Sequence, residues 1–142
     1  MAHSEYNHST TQPVHFLQIW IVPEVSGAKP RYQQEHFSAE KKRGRLQLII
    51  SPTGDEGSLL VRQDARVYGA LIDDTESATL ELAANRYAYV HVASGSVQLN
   101  GVPLKEGDGV RVREEQRLTL SNGVNAEVLV FDLRAQELPQ MP

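Results

Sequence analysis

Residues 87–112 read YAYVHVASGSVQLNGVPLKEGDGVRV, and this stretch decides the fold. Tyr87, Tyr89 and His91 alternate with Ala88, Val90 and Val92, the period of a strand with one face on a core. Asn100-Gly101 separates Val97-Gln98-Leu99 from Val102-Pro103-Leu104. A two-residue hairpin of type I′ needs positive φ at both central positions, so this dipeptide predicts a tight reversal. Gly107-Asp108-Gly109 predicts a second reversal, and Val110 and Val112 alternate with Arg111 and Arg113 in a further half-buried strand.

The same grammar extends in both directions. Strand-like runs occupy 14–22 (VHFLQIWIV), 46–51, 58–62, 66–72, 78–83, 117–121 and 126–133, with a reversal expected at Ser121-Asn122-Gly123. Ser38 to Gly44 has room for a turn or two of helix, with Ser38 as its cap. An all-β chain with short, closely spaced, alternating strands favours a sandwich or barrel. The 142 residues form one domain by length, large enough for a core without disulfides. Residues 1–13 read as an N-terminal arm, 14–134 as the domain and 135–142 as a tail.

Composition narrows the chemistry. With no cysteine there is no thiolate ligand, Cys nucleophile or disulfide, which fits a cytoplasmic setting. A net charge of −4 and a single basic run, Lys41-Lys42-Arg43-Gly44-Arg45, argue against a nucleic-acid partner. The run from Val14 to Val22 is too short to span a bilayer, so no membrane partner is expected. The acidic pairs Asp55-Glu56, Asp73-Asp74 and Glu114-Glu115 are expected to be solvated, and no phosphate-cradling glycine loop or nucleophile elbow occurs. His36 is expected on the surface, His15 packed or hydrogen-bonded, and His91 on the side of its strand away from the core.

From Leu80 to Asp132 the order of strand, glycine turn at Gly95, hairpin, and Leu104 followed by Gly107-Asp108 resembles the cupin superfamily: a double-stranded β-helix within a small, jelly-roll-like β-sandwich. Catalytic cupins hold a divalent metal with an H-x-H-x(3,4)-E set and a later His. Counted from Gly95 and Gly107, those positions fall near Leu82, Ala84, Ala88 and Leu118, none of which can bind a metal. A barrel lined by apolar residues could still hold a small apolar ligand.

A closer resemblance lies in HSEYN (3–7), QIWIVPE, PRYQQ, GSLLVRQDARVY and EVLVFDL, which look like the C-terminal half of a pirin-family, quercetinase-like bicupin over residues 3–133. The resemblance implies a metal in the preceding cupin, held by an H-x-H pair together with a late His and Glu that match His3 and Glu5. The pair itself is absent from these residues, so His3 and Glu5 are candidate metal ligands of an incomplete site. No cofactor is expected in isolation, and a divalent transition metal (Fe, Cu, Ni, Mn or Zn) only if a complete site is assembled. Two functions follow as expectations. One is a non-catalytic structural or interaction module that forms a homodimer, or binds another protein chain, through an exposed first strand at 14–22. The other is a metal-dependent dioxygenase of the quercetin 2,3-dioxygenase kind, whose site needs a further cupin domain or chain.

Overall fold

The computed structural model of the chain describes residues 2–135, so all but the first residue of the tail at 135–142 lies outside the described residues. A one-turn helix, α1 (Ala39–Lys42), precedes β1 (Gln47–Ser51), β2 (Leu59–Leu60), β3 (Ala65–Ile72), β4 (Ala78–Glu81), β5 (Arg86–Leu99), β6 (Val102–Lys105), β7 (Gly109–Val112) and β8 (Arg117–Arg134). The strands form one sheet of order β2-β1-β3-β8-β5-β6, with β4 attached to β8 and β7 to β5. This is an all-β cupin barrel.

Its closure depends on β5 and β8. They pair antiparallel from Arg86 opposite Arg134 to Leu99 opposite Leu120, and each changes its outer neighbour halfway. The first half of β5 pairs β7 and the second β6, while the first half of β8 pairs β4 and the second β3. Both strands therefore pass from one layer of the sandwich to the other. They bend where the register slips between Val92 and Gln98, since extra residues kink a strand and increase its twist. Gly95 sits in this bend at φ +70°, and a Cβ there would overlap the carbonyl oxygens of Val124 and Asn125. Only glycine suits that position.

Two expectations are corrected here. Gly95 and Ser121-Asn122-Gly123 lie inside β5 and β8 rather than at reversals. Asn122 and Asn125 take positive φ while their chain continues as a strand, because the local signature of a bulge is the same as that of a turn. The Asn100-Gly101 turn forms as expected, with φ of 48° and 80° between paired Leu99 and Val102. The Asn100 side chain donates to the Arg117 carbonyl and accepts from Thr119 N–H, tying this turn to β8. In the other predicted turn, Gly107 N–H donates to the Val92 carbonyl and Val92 N–H to that of Asp108, seating the turn on β5. α1 forms, but Ser38 makes no side-chain capping bond.

The largest correction concerns VHFLQIWIV. Residues 14–22 belong to no strand, and all but the half-buried Ile21 are exposed, His15 included. Strand propensity supplies no hydrogen-bond partner, and among the described residues only the Val22 carbonyl of this segment is bonded to the barrel, accepting from Gln63 Nε2.

The core is aliphatic. Ile72, Val90, Val92, Val97, Leu118, Leu120, Val128 and Val130 are almost completely buried and belong to one contiguous cluster. The basic run is tied down by acids: Lys42 pairs with Glu127 at 3.2 Å and Arg43 with Glu76 at 3.3 Å. No described helix is long and apolar enough to cross a membrane.

Candidate functional site

Of the positions counted for metal ligands, Leu82, Ala88 and Leu118 are buried members of the core cluster. Ala84 departs from the count: it is exposed, in the turn between β4 and β5, because the chain leaves the wall after Leu82. Hydrocarbon occupies the ligand positions, and no donor set for a metal fits there.

His3 and Glu5 lie outside the barrel. His3 Nε2 stands 3.5 Å from Glu5 Oε1, with both side chains more than half exposed. Among the described residues no group of three or more His, Asp or Glu stands close enough to hold a metal ion. His8 and His15 are exposed and do not complete the pair. Two solvated donors make half of a site; affinity comes from ligand count, geometry and a supporting shell. The residues present do not fit the implied metal. The acidic pairs are no better placed for acid–base work. Asp55, Glu56, Glu114 and Glu115 are exposed, and Asp73 is a structural acceptor for Asn125 N–H at 3.0 Å.

The open space lies on the other side of the sheet. A cavity of about 1110 Å³ separates residues 17–22 from the outer surface of β5, β7 and β8. Its floor follows from strand alternation: while Ala88, Val90 and Val130 point into the core, Tyr87, Tyr89, His91, Leu129 and Phe131 point outward. His91 was expected on this side and is found there. Tyr89 and Phe131 are register partners, and their rings pack at 5.9 Å with a 58° tilt. Gly109 permits this, because a side chain there would collide with the Tyr89 ring and hydroxyl.

Arg113 lies over the Tyr87 ring at 5.1 Å, and Arg111 is exposed at the rim. Neither guanidinium is paired with a carboxylate among the described residues. At the far end, Arg134 pairs with Glu24 at 3.1 Å, and Glu24 N–H donates to the Arg62 carbonyl, anchoring the chain just beyond Val22. Alternation in 87–92 and 110–113 revealed the outward residues, but the juxtaposition of Phe131 with Tyr89 required the β5–β8 register.

A buried ionic group closes this end of the barrel. Arg86 donates through Nε to Asp132 at 2.6 Å and through Nη1 to Asp64 at 2.7 Å, and through Nη2 to the backbone carbonyls of both. Burial disfavours the Arg86 charge, but the bonds to Asp132 and Asp64 outweigh it and hold its pKa above the usual value. Nearby Tyr68 is shifted upward, first by burial and then by the Asp132 charge. Sequence inspection missed this group: an Arg and two Asp separated by 22 and 46 positions leave no local signal.

A barrel with a hydrocarbon interior, an aromatic outer surface and an exposed pair of candidate ligands outside it defines a cupin whose interior carries no metal-ligand set among the described residues. Residues 48–133 match the family described as the quercetinase C-terminal cupin domain. The chain belongs to this pirin family, as a C-terminal half. It is 40% identical over 131 residues to quercetin 2,3-dioxygenase of Escherichia coli K12, covering 92% of this chain and 55% of that protein. It is 32% identical to a pirin-like protein of Caulobacter vibrioides, with 92% and 56% covered. The crystal structure of the bacterial pirin YhhW from Escherichia coli in complex with nickel(II) superimposes with a TM-score of 0.74 at 36% identity, covering 82% of this chain and 49% of that one. The chain thus spans about half the length of the curated relatives it matches.

Proposed function

We propose that residues 14–134 are a non-catalytic structural and interaction module that self-associates through residues 14–22 and the adjoining outer face. The observation that carries this is the pairing of a filled interior with an unfilled exterior. Leu82, Ala88 and Leu118 close the barrel, while Phe16 and Trp20 remain exposed beside a large cavity floored by Tyr89 and Phe131. Contiguous exposed apolar surface of this kind marks an association site.

A second function is favoured by the placement of His3 against Glu5 together with relatives named quercetin 2,3-dioxygenase. Here the two residues contribute to a metal-dependent dioxygenase site that another cupin domain or chain completes. Metal analysis after incubation with nickel(II) and desalting separates the two, combined with mass measurement by light scattering. The module predicts substoichiometric metal and a dimer. One equivalent of metal, lost in His3→Ala, would instead favour the shared metal site of the second reading.

A further inference from the structure

Strand register gives the floor of the outer cavity a direction. Tyr89 of β5 lies between Arg111 of β7 and Phe131 of β8, its register partners on either side. In the row before it on the same face, Tyr87 is paired with Leu133 of β8 and carries Arg113, just past the end of β7, over its ring. Both rows therefore run in the same order across the strands, from guanidinium to aromatic ring to hydrocarbon or phenyl group. Residues 17–22 add a lining that is apolar apart from Gln18, with Trp20 among it. This roof is tied down at its far end, where the Val22 carbonyl accepts from Gln63 Nε2 at 2.9 Å.

The charges of this floor are not balanced from within. Asp64 is the one carboxylate on the cavity lining, and Arg86 already holds it at 2.7 Å. A third lining arginine, Arg134, is engaged by Glu24 at 3.1 Å at the opposite end. Arg111 and Arg113 form no ion pair among the described residues, even with Glu114 and Glu115 next along the chain. Two guanidiniums thus stand at one edge of an aromatic floor, and what they lack is an anion.

We propose that this cavity binds a planar aromatic carboxylate, with its anionic end on Arg111 and Arg113 and its rings over Tyr89 and Phe131, beneath residues 17–22. A guanidinium matches a carboxylate through two parallel N–H donors, and aromatic side chains accept a further ring stacked or edge-on. Neighbouring strands lie about 4.8 Å apart, so crossing from β7 to β8 takes about 10 Å, the length of a two-ring acid. The volume of about 1110 Å³ lies at the top of the size range of small-ligand sites, which leaves room for further substituents. The site goes beyond the self-association proposed above and does not rest on it, because the ligand lies between the segment and its own barrel.

Equilibrium dialysis of the full chain against 2-naphthoate and its neutral analogue 2-naphthamide tests the assignment. The naphthoate should saturate at one molecule per chain and bind roughly tenfold or more tightly than the amide, the margin of a charge-assisted hydrogen-bond pair. Arg111→Gln combined with Arg113→Gln should lower naphthoate affinity to that of the amide and leave the amide unchanged, with an unaltered melting temperature. Lys105→Gln, which removes an exposed cation on β6 outside the cavity, should change neither. Tyr89→Ala should weaken both. Equal affinity for the two compounds, no binding at millimolar concentration, a double variant that keeps the parent affinity or loses both ligands alike, or an equal loss in Lys105→Gln overturns the site. Light scattering on the same samples reads self-association separately, so the failure of one proposal is distinguished from the failure of the other.

Discussion

Arg86 and Asp132 meet diagonally across β5 and β8, with Nε 2.6 Å from Oδ1 and both side chains almost enclosed. The same guanidinium holds Asp64 at 2.7 Å, so one residue joins the start of β5 to the end of β8 and the entry to β3. Breaking a buried pair strands the remaining charge. Arg86→Ala is expected to lower stability by about 3–5 kcal/mol. Asp64, whose carboxylate is far more exposed, should cost no more than about 1 kcal/mol as Asp64→Ala. Urea unfolding of the two variants measures the contrast.

Gly95 permits the bend that carries β5 between layers. Gly95→Ala places a methyl group against the carbonyls of Val124 and Asn125 at a left-handed φ. The expected loss is about 3 kcal/mol or more, seen as a drop in thermal midpoint. Gly101, with open space around its Cα, should tolerate alanine better.

The counted ligand positions make a clean comparison. Leu118→Ala opens a hole in the core cluster and should cost about 2–5 kcal/mol by chemical denaturation. Ala84→Ser, in an exposed turn, should fall within about 0.5 kcal/mol of the parent chain.

Tyr68 gives a pH signature. Its folded-state pKa lies above the unfolded value because burial and the Asp132 charge disfavour the phenolate. The unfolded chain therefore releases this proton first as pH rises. Stability from this group is full below about pH 10, and is lost as pH climbs from there through the folded pKa. Thermal melts of the parent chain between pH 9 and 11 should fall more steeply than those of Tyr68→Phe; parallel slopes would refute the assignment.

Much of the architecture was legible in the chain itself. Alternation in 87–92 and 110–113 fixed which side chains face the core, because a strand's two faces differ by a single residue step. Asn100-Gly101 fixed its hairpin, because few other dipeptides adopt positive φ twice. Leu82, Ala88 and Leu118 announced a barrel without donors by residue type alone.

What the tertiary structure decided was everything that depends on partners distant along the chain. Asn122-Gly123 reads locally as a turn, yet pairing along β8 keeps it within a continuous strand. VHFLQIWIV has the composition of a strand, yet a strand exists only where neighbouring backbone accepts and donates. The Arg86 group and the Tyr89–Phe131 contact arise from the β5–β8 register, which long-range closure sets and no local window encodes. Side-chain chemistry and periodicity are local properties and can be read in order; hydrogen-bond pairing and charge neutralisation join distant residues and are settled only when the chain folds.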